Sequence, residues 1–264
     1  MSADIKTNMK WDYSKSSSED NLRMEELTSP PARAMLVQAG LLPSAPAGAL
    51  VLDNACGTAL AASLLFEGLG KTSDVRVVCG DLEEAMVNIA AERIAHSGWN
   101  AEARVADAQA LPFPDNHFTH NMMNFGIQLM PDNPLVLKES FRVLKSGGKV
   151  GMTTWTGPGW LPSMQAAIPS WVPPPLFTSG PMASKEAITS LLSAAGFVGI
   201  EVKPISFEHS ESVARYFKHM KPLLEQLLGG EKPSETYEAD MRERYGDGDL
   251  TLTWEAFIIT AEKP

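Results

Sequence analysis

Two cysteines and no basic excess already narrow what this 264-residue chain can be. Cys56 and Cys79 each follow an apolar stretch, so buried free thiols are expected and a structural disulfide is not, which fits a reducing, cytosolic setting. No run approaches the roughly 20 apolar residues of a membrane-spanning helix, and Met1 to Lys6 carries no apolar signal region. Lysine and arginine number 22 against 32 acids, a net charge of −10 with no basic tract to offset it. Nucleic acid is therefore not an expected partner. Histidines and cysteines never pair at ligand spacing, so no metal site is expected. The Gly-x-Gly-x-x-Gly fingerprint of dinucleotide-binding folds is missing as well.

What is present is a strand, a turn and a helix in quick succession. The apolar stretch Ala49 to Leu52 ends in Asp53-Asn54-Ala55-Cys56-Gly57-Thr58-Ala59, and the helix-forming stretch Leu60 to Glu67 follows at once. This opens a nucleotide-type βαβ unit. Asp53 would repel a pyrophosphate placed at the helix start, so a cationic ligand suits the turn better. A second buried strand, Val75 to Asp81, ends in an acid 28 residues after Asp53, close to one strand–helix–strand repeat of roughly 30 residues. Asp81 there can accept hydrogen bonds from both hydroxyls of a ribose, with Leu82 and Met86 placed to pack on a base. A third strand ends at Arg104-Val105-Ala106-Asp107-Ala108, and a fourth at Asn121-Met122-Met123-Asn124-Phe125-Gly126.

These motifs resemble those of class I S-adenosylmethionine (SAM)-dependent methyltransferases. Asp53 to Ala59 is similar to their motif I, Asp-x-Gly/Ala-Cys/Ser-Gly-Thr-Gly. Asp107-Ala108-Gln109-Ala110-Leu111-Pro112-Phe113-Pro114-Asp115-Asn116-His117-Phe118 resembles the matching segment of the UbiE/COQ5-like members, and Leu137 to Lys149 resembles their helix and "LKPGG" turn. The likeness runs from Ala49 to Trp155. It implies a Rossmann-like α/β sheet of order 3-2-1-4-5-7-6 with the last strand antiparallel, SAM as cofactor, and a cofactor site formed by Asp53, Asn54, Ala55, Gly57, Asp81, Leu82, Met86, Asp107, Ala108, Asn124 and Phe125. It also implies that the N-terminal segment, with Trp11 and Tyr13, closes over SAM, and that Asp107 takes the adenine amino group. Ala59 and Thr119 depart from the pattern, standing where the family has glycine and aspartate.

The whole chain is expected as one methyltransferase domain: an N-terminal lid or helical arm over 1–45, a SAM-binding core over 46–155, and substrate-cap insertions with the last strands over 156–264. Pro30-Pro31 is read as the start of a helix running to Ala39. Thr156 to Ala183 reads as irregular, Glu211 to Leu228 as an amphipathic helix, Gly229 to Glu235 as a loop, and Tyr237 to Tyr245 as a short helix. Val198 to Phe207 reads as strand six. Trp155, Trp160, Trp171, Phe177 and Phe217 are the candidate walls of a pocket for an apolar or aromatic small molecule. No catalytic base is assigned, although His209 and His219 are candidates. A sulfonium methyl is already activated, so alignment and water exclusion are the main demands.

The expected reaction is methyl transfer to a small molecule, most often on oxygen. The overall style resembles stand-alone methyltransferases of fungal secondary metabolism. Two alternatives stand beside it: a lyase- or cyclase-like enzyme that keeps SAM without transferring methyl, and a non-catalytic SAM-binding regulator. A deep pocket walled by Trp155 and Trp171 favours an enzyme. An exposed apolar N-terminal arm favours the regulator. The oligomeric state is left open.

Overall fold

The computed structural model describes residues 17–264, apart from 71–72, 175–176 and 178. Trp11 and Tyr13 lie outside the described residues. The first half alternates as the motifs require: β1 (Leu50–Asn54), α2 (Leu60–Leu69), β2 (Arg76–Asp81), α3 (Glu84–Ser97), β3 (Ala101–Val105), β4 (Phe118–Asn124), α4 (Asn133–Val143) and β5 (Leu144–Gly157), preceded by helix α1 (Ser18–Gln38). The second half adds α5 (Trp160–Ala167), α6 (Lys185–Ala194), β6 (Val198–Ser212), α7 (Val213–Leu228), α8 (Glu231–Tyr245) and β7 (Asp249–Glu262). The seven strands form one sheet of order 3-2-1-4-5-7-6. β1 to β5 are parallel, and β7 runs antiparallel between β5 and β6.

Strand alternation divides the core. Val51, Val77, Cys79, Met122 and Ile258 face α1, α2 and α3, while Leu52, Val78, Met123, Val150 and Ile259 face α4 and α6. Both faces are covered by helices, which is why the central strands read as continuous apolar runs. Cys56 and Cys79 are buried free thiols. Thr119 uses its hydroxyl to accept from Leu50 N–H and donate to Leu50 C=O, both at 3.0 Å, and so ties β4 to the start of β1. A third cluster lies off the sheet. The β6–β7 ribbon pairs from Val198–Glu262 to Ser212–Asp249, well past Glu255, where β5 stops. Its free end, with α1, α5, α7 and α8, buries Leu27, Trp160, Met164, Val213, Tyr216, Phe217, Leu224, Tyr237 and Trp254.

Several expectations need correction. Pro30-Pro31 does not start α1 but lies inside it. The helix begins at a capping box, where Ser17 Oγ accepts from Asp20 N–H and the Asp20 carboxylate accepts from Ser17 N–H at 2.8 Å. That reciprocal pair is worth more than the fixed φ of a proline as a start signal. The stretch 229–235 is a loop only at Gly229-Gly230, since α8 begins at Glu231. The supposedly irregular 156–183 holds α5. β6 runs five residues beyond Phe207, to Ser212, which then caps α7 through Arg215 N–H. β3 ends at Val105, so Asp107 lies past the strand in a turn bridged to Ala110.

Candidate active site

The turn after β1 is built on left-handed backbone. Ala55, Gly57 and Ala59 have φ of 55°, 53° and 62°. Two of the three are alanines, which adopt this region at a cost of roughly 1–2 kcal/mol each. The departure at Ala59 therefore keeps the conformation that glycine would take freely. A Cβ placed on Gly57 would meet no protein atom within 4 Å. The open space there is a cavity of about 440 Å³ at the carboxyl ends of β1, β2, β4 and β5, where open α/β sheets place their ligands.

Acids line its inner end. Asp81 Oδ2 accepts from Gly57 N–H at 2.8 Å and Oδ1 from Glu83 N–H at 3.0 Å, which orients the carboxylate. Burial nevertheless raises its pKa, against the backbone donors of Glu83, Gly57 and Leu82. Asp53 is fully buried, and that desolvation pushes it to about 7, with the Asp81 charge adding to the rise and Ala62 N–H opposing it. Ala55, Leu82, Met86, Asp107, Ala108, Asn124 and Phe125 are on the same wall. Asn54 is not: it is wholly buried, with both side-chain polar atoms unpartnered among the described residues.

The outer end is aromatic. Phe125, itself left-handed at φ 57°, stacks on Trp155 with centroids 3.9 Å apart and planes 17° apart. Trp254 follows at 5.2 Å from Trp155, and Trp160 and Phe177 meet edge-to-face at 5.3 Å. All five rings line the cavity. Trp171 and Phe217 do not. Trp171 sits behind Trp160 and donates its indole N–H to Leu227 C=O, and Phe217 packs on Tyr216 and Tyr237.

Sequence reasoning expected an N-terminal arm over the cofactor but named none of the α1 side chains that line the cavity. Asn21, Met24, Glu25, Leu27 and Thr28 line it, as do Gln128, Met220, Leu223 and Trp254. The signal for α1 was the Ser17 to Asp20 capping box; Trp254 carried none beyond its strand. Glu25 clamps α1 to the turn, paired to Arg93, whose guanidinium also donates to Thr58 C=O at 3.0 Å. The candidate bases lie elsewhere, in an ionic seam between α1 and the cap. His219 bonds Asp20 and Glu19, and His209 lies 3.8 Å from both Glu26 and Glu211. His120 is buried beside Thr119, and burial lowers it to about 4.

A sheet of this order with an acid-lined cavity at its carboxyl edge meets a matching sequence record: the ubiE/COQ5 methyltransferase family model matches residues 42–187. The chain belongs to this family. It is a SAM-dependent methyltransferase, and among its relatives are the methyltransferase ktnA of Aspergillus niger, 30% identical over 81% of this chain and 84% of that one, and the methyltransferase tpcH of Aspergillus fumigatus, 28% identical over 88% and 91%. The acetylaranotin bis-thiomethyltransferase of Aspergillus terreus is 27% identical over 91% and 92%. Among solved structures, the YcgJ protein of Bacillus shares the enzyme's fold with a TM-score of 0.59, at 18% identity over 89% of this chain and 98% of that one. The [4+2]-cyclase SpnF does so at 0.54, with 20% identity over 91% and 81%. No helix of the described residues is long and apolar enough to cross a membrane, and these residues hold no cluster of metal-ligating side chains.

Proposed function

We propose that this methyltransferase acts on an oxygen of a small apolar or aromatic molecule, seated at the aromatic end of the cavity. The observation that carries this reading is continuity: one cavity runs from the acids of β1 and β2 to the rings of Trp155, Trp160, Phe177 and Trp254. The residues fit the cofactor. Gly57 leaves open space where any other residue would put a Cβ, and Asp81 presents two oriented oxygens to a ribose. In our reading Leu82 and Met86 pack on the adenine, Asp107 and Ala108 meet its edge, and Asp53 faces the cationic methionine end. SAM, when bound, supplies an activated methyl on a sulfonium. The chain's own part is to hold the acceptor in line, keep water out and turn aromatic faces toward the cation. A secondary-metabolic setting is supported by the fungal relatives.

The test is turnover with methyl-labelled SAM and paired acceptors, hydroxyarenes against aryl thiols, with the product placed by NMR. Label on an aryl ether oxygen is the expected result. Label on sulfur would move the enzyme toward the activity for which its Aspergillus terreus relative is named, and acceptor consumed without S-adenosylhomocysteine would favour a cyclase-like reaction.

A further inference from the structure

One cavity-lining amide is tied to the backbone of Trp155. Gln128 belongs to the short 3-10 turn Ile127–Leu129, is 8% exposed, and lines the cavity. Its Oε1 accepts from Trp155 N–H at 2.6 Å. A backbone N–H can only donate, so this bond decides which end of the amide is oxygen. The Nε2 group is left with its donors and no acceptor among the described residues. Unlike the amide of Asn54, it is not sealed in the core, so it is open to an acceptor in the cavity.

We propose that Gln128 is a specificity-determining residue, its Nε2 donating to a carbonyl oxygen of the acceptor, so that the enzyme selects hydroxyaryl ketones over plain phenols. This rests on the aromatic-acceptor reading above. A carboxylate would also accept from Nε2, but Asp53 and Asp81 share the cavity and their charge disfavours an anion there. In an ortho-hydroxyaryl ketone the carbonyl is normally bonded to its own hydroxyl. A donor from Gln128 competes for that carbonyl and releases the hydroxyl oxygen for alkylation.

The test is calorimetric titration of the enzyme saturated with S-adenosylhomocysteine, using 1-hydroxy-2-acetonaphthone and 1-naphthol as probes. The wild type is expected to bind the ketone about tenfold or more tightly than the naphthol, the scale of one buried hydrogen bond. Gln128→Met removes the donor together with the acceptor for Trp155 N–H and should bring that ratio to about one, with SAM affinity unchanged within about threefold. Gln128→Glu at pH 8.5 keeps an acceptor for Trp155 N–H and replaces the donor by an anionic oxygen, so it should bind the ketone no better than the naphthol. It also carries the test if the methionine variant fails to fold. Equal binding of the two probes by the wild type, or a ketone preference that survives in both variants, overturns the assignment of Gln128. If neither probe binds the wild type, the aromatic-acceptor reading falls and this inference falls with it.

Discussion

At the residue scale, the two inner acids carry most of the testable chemistry. Asp81→Ala removes the acceptor for Gly57 and Glu83 N–H and both candidate ribose contacts. We expect SAM affinity to fall by roughly 2–4 kcal/mol, read by calorimetry on a variant that keeps its circular dichroism. Unchanged affinity would take Asp81 out of the site. Asp53 links the site to pH. Burial raises it from an ordinary 3.8 to about 7. Its neutral form therefore stabilises the unliganded fold fully below pH 3.8, and that contribution is lost as pH rises through about 7. A cationic ligand prefers the ionised form. SAM affinity should thus rise about tenfold between pH 6 and 8 with release of a proton, and Asp53→Asn should bind more weakly and without that slope. Titrations in buffers of different ionisation enthalpy count the proton; a flat profile in the wild type would sink the linkage. Gly57 is a separate case. Nothing in the protein blocks a Cβ there, yet its φ of 53° penalises any side chain and the Cβ would enter the cavity. Gly57→Val is expected to abolish SAM binding in a chain that still folds.

At the scale of elements, α1 is the link between the two halves of the molecule. Its C-terminal half buries Ala32, Met35 and Leu36 in the sheet core, and its N-terminal half lines the cavity. Pro30-Pro31 marks the boundary between these halves. Thr28 and Ser29 hydroxyls donate to the carbonyls of Met24 and Glu25, four residues back, at 2.7 and 2.6 Å. Opposite the sheet, Arg23 is 1% exposed and makes a bidentate pair with Glu211 of β6. Breaking such a pair strands a buried charge, so Arg23→Met alone should cost about 3–5 kcal/mol in urea denaturation. Adding Glu211→Leu should restore most of it, since an apolar pair removes the stranded charge. If the double variant is as unstable as the single one, the loss came from packing over Tyr216 and not from charge.

At the scale of the whole molecule, the three apolar clusters differ in what supports them. Two lie on a seven-stranded sheet, and the third hangs on the free end of a two-stranded ribbon. A ribbon with one partner opens at lower free energy than strands paired on both sides. Hydrogen exchange should therefore release α7 and α8 well before β1 and β4. SAM should protect α1 and the turn at 55–59 first, and at about 100 times its dissociation constant it should raise stability by about 2.7 kcal/mol. Uniform exchange across the sheet and the cap would show instead one cooperative unit.

The sequence by itself determined the parts that depend on neighbours in the chain. Short continuous apolar runs, the acids that end them, and the glycine and alanine turn at 55–59 are local features, and a parallel sheet then brings every carboxyl end to one edge. Asp53, Asp81 and the rest of the inner wall follow from that alone. The tertiary structure decided which face of each cap element meets the cavity. On α7 one apolar stripe serves two neighbours: Phe217 packs against Tyr237 of α8, while Met220 and Leu223, one and nearly two turns on, line the cavity. Periodicity reports that a helix face is buried, not what buries it, so Trp171 and Phe217 were read as walls when they stand behind one. Trp254 was hidden for the same reason, since only the ribbon's extension past Glu255 carries it over the sheet edge. Gln128 could not be read from the chain at all: its bond to Trp155 N–H joins residues 27 apart in the chain.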